Sequence, residues 1–240
     1  VVRAPNAVVP NNNRYEIADN TPPTAGEKLG INVALEKVGL AGDGGQLVIG
    51  SMNKESGNEW DAVNTVVDGT TSGIEEFYVT VYGSSAKSSS LAGLHSTNNN
   101  LRVVTVATDA AQTGTYADLT IGNSNTDMEG FYGYEYALKD VQTFDASAFK
   151  GDLTLYAALT DEITAKYLNL DDAAPDAPGA DNLNFEYIGG TGDDSINLTI
   201  DADNGAFSGS LTREDFLMNA TVNGGDGDDM LTLAIVGEGS

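Results

Sequence analysis

The chain has 240 residues, with 36 acidic against 11 basic side chains and a formal net charge of −25. Such a surface repels phosphate backbones and anionic lipid heads, so nucleic acid and membrane insertion are not expected, whereas cations are favoured as partners. The hydrophobic fraction is 40% and falls in short clusters, which predicts a folded chain rather than a disordered one.

The chain contains no cysteine. Small secreted domains usually depend on disulfides, so a secreted chain without them indicates a bacterial export route or another source of stability, such as a metal. No apolar run approaches the length of about 18 residues that a transmembrane helix needs. The chain begins at Val1 without an initiator Met or a leader, and we interpret it as an excerpt or a processed product.

Residues 1–23 are predicted to form an extended linker or assembly arm. They hold prolines 5, 10, 22 and 23, out of six prolines in the chain. Proline removes a backbone donor and fixes φ, so this composition is unsuited to a core. Such an arm would be able to lie along a neighbouring subunit and lend it a strand.

Residues 24–240 show short runs rich in β-branched and aromatic residues, separated by Gly, Asn, Asp and Ser. Many alternate apolar with polar positions, as in a sheet with one buried face. The sequence therefore predicts an all-β fold. The predicted strands are Gln46–Ile49, Glu76–Tyr82, Leu101–Ala107, Tyr116–Ile121, Asp152–Tyr156, Asn182–Ile188, Ser195–Ile200 and Met230–Val236.

Two further segments have their own predictions. Asp171–Asp181 (DDAAPDAPGAD) is typical of an exposed loop. Leu211–Met218 (LTREDFLM) is predicted as a short helix, with Thr212 as a candidate N-cap and acidic residues in the first turn.

Residues 182–240 carry a glycine-rich repeat. Segments 189–197 (GGTGDDSIN) and 224–232 (GGDGDDMLT) both fit G-G-x-G-x-D-x-U-x, where U is a large apolar residue. Glycine permits positive φ and close approach of carbonyl groups, which together with a carboxylate supply the hard oxygen ligands that calcium prefers. A looser third copy lies at 39–49 (GLAGDGGQLVI), without the placed Asp.

At these residues the chain resembles the RTX family of secreted bacterial proteins. The resemblance implies a parallel β-solenoid, a β-roll or β-helix, with calcium between the loops of successive turns. Ile196 and Leu231 would be the inward anchors. The resemblance implies Asp194 and Asp229 as the ligand carboxylates. The candidate metal site comprises them, the loop glycines and two adjacent acids: Gly189, Gly190, Gly192, Asp193, Asp194, Gly224, Gly225, Gly227, Asp228 and Asp229.

The two motifs begin 35 residues apart (224 − 189), whereas tight tandem repeats would be contiguous. One loop would therefore lack a sister turn. Its coordination would then be completed by another acidic residue, and the candidates are Asp193, Asp226, Asp228, Asp201 and Asp203.

A looser resemblance covers more of the chain. Residues 72–81 (SGIEEFYVTV) and 141–155 (VQTFDASAFKGDLTL) are similar in cadence to bacterial S-layer and large repeat-rich surface proteins. This resemblance implies a solenoid of irregular turns, each unable to bury its apolar face alone.

The sequence gives little reason to expect an enzyme. His95 is the single histidine and lies in a Ser/Asn-rich stretch, which favours a solvated loop position over a triad. Adjacent acids such as Asp193 and Asp194 point to opposite faces of a strand, so they do not form a catalytic pair. The aromatic run 131–136 (FYGYEY) is more typical of a core stack than of a sugar platform.

Three functions remain open. The first is a calcium-dependent structural subunit of an extracellular bacterial assembly (an S-layer, filament or matrix) whose main partner is another copy of itself. The second is a stalk or ligand-binding segment of a repeat-rich adhesin, with a cell-surface glycan as partner. The third is the non-catalytic repeat region of a secreted RTX protein. All three predict a secreted, cell-surface location.

Overall fold

The computed structural model describes residues 30–39, 46–49, 53–54, 60–61, 74–96, 99–123, 137–160, 162–167, 183–201 and 218–236. Within these ranges the protein is all-β, with one short helix, α1 (Glu162–Tyr167), and a single 3-10 turn at Ser85–Lys87. The strands are β1 (Gly30–Glu36), β2 (Gln46–Ile49), β3 (Asn53–Lys54), β4 (Trp60–Asp61), β5 (Glu76–Tyr82), β6 (Ser89–Leu91), β7 (Gly93–Ser96), β8 (Val103–Thr108), β9 (Leu119–Ile121), β10 (Leu138–Lys139), β11 (Thr143–Ala148), β12 (Leu153–Leu159), β13 (Leu183–Ile188), β14 (Ser195–Asp201), β15 (Met218–Asn223) and β16 (Met230–Val236).

Two parallel sheets contain most of these strands. The first has the order β1-β5-β8-β11-β13-β15, and the second β6-β9-β12-β14-β16, with β10 added beside β12. Every pairing within the two sheets is parallel. Two small sheets accompany them, β2 with β7 and β3 with β4.

From β5 onwards the main strands alternate between the two sheets. The chain passes from β5 to β6, from β8 to β9, from β11 to β12, from β13 to β14 and from β15 to β16, and each step leaves the first sheet for the second. Each return adds a strand beside the previous one in the same sheet. Parallel neighbours need such a crossover, because a tight hairpin reverses direction.

A single apolar cluster fills the space between the sheets. Strand β5 alternates between buried and accessible positions, and its Phe77, Val79 and Val81 belong to the cluster. Strand β12 of the second sheet contributes Leu153 and Leu155 to the same cluster. The alternation follows from the period of two along a strand, which sends every second side chain to one face.

The crossovers differ in length. Contacting residues on successive turns are 30, 34, 41 and 35 residues apart, in chain order from Ser88 to Asp229. The strands nevertheless stay in register across the second sheet.

Several predicted strands are confirmed with the predicted bounds, namely Gln46–Ile49, Glu76–Tyr82 and Met230–Val236. Two strands begin later than predicted: β8 starts at Val103 and not at Leu101, and β9 starts at Leu119 and not at Tyr116. The apolar residues before them are buried in loops, as Leu101 and Ala117 show. The sequence pattern therefore extended these two strands into loop residues that are buried but do not have strand geometry.

Other elements were missed or misassigned. Strands β1, β11 and β15 and helix α1 had no prediction of their own. Met218, placed at the end of a predicted helix, begins β15 instead, and the rest of that helix lies outside the described residues. The arm 1–23, the loop 171–181 and the aromatic run 131–136 also lie outside them. No helix in the described part of the chain is long and apolar enough to cross a membrane.

Candidate functional site

The two glycine-rich loops are sisters on successive turns. Loop 189–194 joins β13 to β14, and loop 224–229 joins β15 to β16. Because β13 pairs with β15 and β14 with β16, both in register, each loop lies directly against the other. The expectation that one loop lacks a sister turn is therefore wrong. The two motifs are 35 residues apart, and the hydrogen bond between Asp194 and Asp229 joins equivalent positions of the two loops across the same 35 residues.

The glycines are required because the turns approach so closely. A Cβ on Gly190 would lie within 3.0 Å of the carbonyl oxygen of Phe149, and one on Gly225 within 3.0 Å of the carbonyl oxygen of Gly190. The backbones are also bonded, since Asp226 N–H donates to Gly190 O at 3.0 Å. A side chain at either glycine would push two turns apart.

The second role expected of the glycines, positive φ, applies only to the later loop. Gly225 has φ of 98° and Gly227 has φ of 130°. Among the described residues with positive φ, neither Gly189, Gly190 nor Gly192 is found. In loop 189–194 the motif therefore reflects close packing between turns and not left-handed backbone.

An inner row of carboxylates ties each turn to the one before it. Asp194 Oδ1 accepts the Leu153 N–H at 2.8 Å, and Asp229 Oδ1 accepts the Asp194 N–H at 2.9 Å. Asp194 Oδ2 also accepts the N–H of Gly190 in its own loop. The sixth position of the motif thus closes the loop and links it to its neighbour.

An outer row of carboxylates links the same turns in the opposite direction. Oδ1 of Asp118 accepts the Asp152 N–H, Oδ1 of Asp152 accepts the Asp193 N–H, and Oδ1 of Asp193 accepts the Asp228 N–H, at 3.0 to 3.2 Å. Here each carboxylate reaches forward along the chain. From Asp152 to Asp229 the two rows together link successive turns from both sides.

The adjacent acids of the motif have different environments, as the strand period predicted. Asp193 is exposed and Asp194 is buried, and the side chains belong to the outer and inner rows respectively. Burial raises the pKa of Asp194, the N–H donors of Gly190 and Leu153 oppose that rise, and the neighbouring carboxylates of Asp229 and Asp152 add to it. A positive charge near this row would relieve the cost of its ionisation.

The outer row includes two residues that the sequence analysis did not select, Asp118 and Asp152. Each stands immediately before a strand, in the segments Asp118-Leu119-Thr120-Ile121 and Asp152-Leu153-Thr154-Leu155. This shared pattern, an aspartate followed by an alternating apolar strand, was visible in the sequence. It was overlooked because the glycine signature surrounds only the later loops.

The donor atoms suit calcium in their chemistry, because carboxylate and carbonyl oxygens are the hard ligands that it takes. The two rows differ in the hydrogen bonds that their carboxylate oxygens accept. Both oxygens of Asp194 accept backbone N–H groups, so the exposed outer row, with Asp193 and Asp228, is better suited to direct coordination. Across the described ranges, no group of three or more His, Cys, Asp or Glu side chains converges closely enough to hold a metal ion.

Three other candidate residues have different positions from those expected. Asp201 ends β14, a strand of seven residues, and so lies about 20 Å from the loop at the usual rise per residue. His95, expected in a solvated loop, is half-buried in β7. Leu231, expected as an inward anchor like Ile196, is 48% exposed, whereas Ile196 is 0% exposed. Asp203 lies outside the described residues.

Compared with known protein families, curated proteins and solved structures, the chain matches none of them. The resemblance to RTX and S-layer proteins therefore rests on the motifs alone.

Proposed function

We propose that the chain is a non-catalytic structural segment of an extracellular bacterial surface assembly, built as a parallel β-solenoid with irregular turns. Three features support the solenoid: the alternation of strands between two parallel sheets, the shared core, and the stacked loops with their bracketing carboxylates. The surface location is supported by the acidic composition and by the lack of cysteine.

The observation that carries the proposal is an apolar row that is open at one end. Five side chains are aligned across the second sheet by strand pairing, in the order Leu91, Ile121, Leu155, Ile196 and Leu231. The first four are buried and the fifth is 48% exposed. Leu233 and Ile235 of the same strand are 58% and 69% exposed.

The exposed end also lacks the usual protection of a sheet edge. Within the described residues, β15 and β16 have one neighbouring strand each. Their sequences, MNATVN and MLTLAIV, contain no charged residue, although edges are commonly guarded by Lys or other charges. A long uncharged edge of this kind is suited to pairing with another strand.

A second copy of this chain is the occupant that the charge favours. Two molecules of net charge −25 repel each other over most of their surfaces, but an uncharged apolar edge does not repel its own copy. A twofold axis perpendicular to the stack would pair β16 with β16 of the second copy and β15 with β15. Such a self-complementary patch is the requirement for an isologous dimer.

Calcium has a supporting role in this proposal. The outer row, with Asp193 and Asp228, lies beside loop carbonyl groups and would hold the ion at the exposed side of the stacked loops. Bound calcium would reduce the repulsion among stacked carboxylates, and its binding free energy would add to the stability of the folded turns. Extracellular calcium modules of other folds bind at about 10⁻⁴ to 10⁻³ M.

The test of assembly is sedimentation velocity together with negative-stain microscopy, each in chelator, millimolar calcium and millimolar magnesium. We expect dimers or longer assemblies in calcium, and weaker association in magnesium, which demands a tighter octahedral shell. Leu233→Lys should abolish association without unfolding the monomer. Thr232→Lys adds the same charge on the other face of β16 and should retain more of it.

Two results would count against the proposal. Monodisperse monomers at every calcium concentration would contradict the proposed self-assembly and favour the adhesin-stalk alternative. Equal melting temperatures in chelator and calcium would show that calcium does not stabilise the folded chain. Asp193→Ala and Asp228→Ala should reduce the calcium response, whereas Asp171→Ala, outside the motif, should leave it unchanged.

A further inference from the structure

A polar cluster around the buried Asp140 joins three segments that are distant in sequence. Asn99 precedes β8, Asp140 follows β10, and Lys166 lies in α1. Asn99 Nδ2 donates to Asp140 Oδ2 at 2.7 Å, and Lys166 Nζ lies 3.4 Å from Asn99 Oδ1. Asp140 is 0% exposed. The Lys166 side chain thus contacts the Asn99 carboxamide, and the carboxamide contacts the buried Asp140 carboxyl group.

The backbone holds the two charged members of the cluster in place. Thr160 donates its N–H to Asp140 Oδ1 at 2.6 Å and its hydroxyl to Asp140 Oδ2 at 2.9 Å. Lys166 Nζ donates to the carbonyl oxygens of Leu101 and Asp140, both at 2.6 Å. A lysine held by two fixed carbonyls loses little further freedom on reaching a neighbouring group, which favours reaction in place.

The helix that carries Lys166 is anchored on both sides of it. Tyr167 donates its hydroxyl to Asp140 O at 2.7 Å, and Arg102 donates to Lys166 O at 3.2 Å. The Arg102 guanidinium also lies 5.1 Å from the centre of the Tyr167 ring. Both neighbours therefore direct the lysine side chain toward Asn99 and Asp140.

We propose that Lys166 and Asn99 form an intramolecular isopeptide bond, with Asp140 as the acid–base group. Nζ lies close to the reacting carbon, because Cγ of Asn99 is one bond of about 1.2 Å from the oxygen that it contacts. Nδ2, the leaving nitrogen, already donates to the Asp140 carboxyl group.

The reaction balances without an oxidant or a further reactant. Lys166 first loses its ammonium proton to solvent; Nζ, now the neutral amine, attacks Cγ, and the Cγ–Nδ2 bond breaks as the Nζ–Cγ bond forms. Asp140 gives a proton to Nδ2, which leaves as ammonia, and the proton that Nζ releases restores the carboxyl group. The products are one secondary amide and one molecule of ammonia, and Asp140 is unchanged.

The environment of Asp140 suits this acid role. Burial raises the pKa of the Asp140 carboxyl group, against the opposing effects of the Thr160 hydrogen bond and the Lys139 and Lys166 charges. A carboxyl group with a raised pKa keeps its proton to a higher pH, so it is available to protonate the leaving nitrogen. The bond would join residues 67 apart in a chain that has no cysteine for a disulfide.

Intact-mass spectrometry of the purified full chain tests the proposal. We expect a mass below the sequence mass by one ammonia molecule, and a proteolytic digest with the Asn99 and Lys166 peptides linked. Lys166→Arg keeps the cation but should show no deficit, as should Asn99→Ala and Asp140→Asn. Lys150→Arg, a lysine outside the cluster, should retain the deficit.

A wild-type mass equal to the sequence mass would overturn the proposal and leave Lys166 as a structural ammonium that caps backbone carbonyls. A deficit that persists in Lys166→Arg would overturn it as well. The wild-type measurement does not depend on any variant folding. It is also independent of assembly and calcium, so its outcome is separate from that of the proposed function.

Discussion

The turn formed by β13 and β14 and the turn formed by β15 and β16 differ mainly in what covers them. Both contain the same nine-residue motif, and their strands pair in register over their whole length. In the earlier turn Ile196 and Leu198 are buried. In the later turn Leu231 and Leu233, which pair with them, are exposed.

Because both turns carry the same motif, this difference shows that burial depends on the position of a strand in the sheet and not on the motif. Strand β14 has a strand on each side of it, whereas β16, at the end of the same sheet, pairs with β14 alone among the described strands. The free energy that an apolar residue contributes therefore depends on its place in the stack, at roughly 25 cal/mol for each Å² removed from water. Substitutions at paired positions measure this dependence directly.

The largest difference is expected from a charge on the paired apolar positions. Ile196→Asp buries an unpaired carboxylate in the core and should cost more than about 4 kcal/mol of unfolding free energy. Leu231→Asp at the paired position is half-exposed and should cost much less in the monomer. Thermal or urea unfolding of both variants measures the contrast, and equal losses would show that the later turn is covered.

A slightly smaller effect is expected at the inner carboxylate row. Asp194→Ala removes the acceptor of the Leu153 and Gly190 N–H groups, and an unsatisfied buried donor costs about 1–3 kcal/mol. Asp229→Ala in the later turn removes the acceptor of the Asp194 N–H and should cost less, because that residue is more accessible. Urea unfolding in chelator isolates this effect from metal, and the reverse order of losses would contradict it.

Adding a methyl group to a loop glycine should cost about 1–3 kcal/mol through overpacking between turns. Gly190→Ala would bring Cβ against the carbonyl oxygen of Phe149. Gly114→Ala is the control, since it has φ of 91° but nothing within 4 Å of the added atom. Gly190 is not among the described glycines with positive φ, so a melting temperature of Gly190→Ala equal to that of the wild type would mean that turn-to-turn packing does not require glycine at this position.

The smallest expected effect is a pH dependence from burial of a carboxyl group in the covered part of the stack. The pKa of Asp140 is raised above its ordinary 3.8 by burial, so the folded state holds this proton more tightly than the unfolded chain does. Its contribution to stability is present below that pKa and is lost as pH rises through the raised value. The melting temperature in chelator should therefore fall as pH rises above the ordinary pKa of 3.8 and through the raised pKa of Asp140, and Asp140→Asn should reduce this fall.

The sequence predicted the all-β class of the fold because periodicity is a local property. Strand β5, with the alternating segment EFYVTVY, needs no knowledge of its neighbours to be recognised, and its predicted bounds are confirmed. The glycine loops were recognised for the same reason. Their pairing on successive turns was missed, because the 35-residue repeat includes a crossover that has no motif of its own.

The effect of neighbouring strands on burial could not be predicted from local sequence patterns. Nothing in the residues around Leu231 distinguishes it from Ile196, since the difference arises from the strand that does or does not cover each one. The cluster of Asn99, Asp140 and Lys166 was missed likewise, because its members are separated by 41 and 26 residues and no spacing rule connects them.

The unequal crossover lengths have a consequence for how this chain can diversify. Turns of 30, 34, 41 and 35 residues all return to the same register in the second sheet, so the pairing of its strands does not depend on the length of the crossover. Insertions and deletions in the crossovers are therefore nearly neutral for the fold, whereas a single-residue shift within a strand would reverse its faces. The crossovers are the natural positions for grafting a foreign peptide, which would be displayed at intervals along the stack.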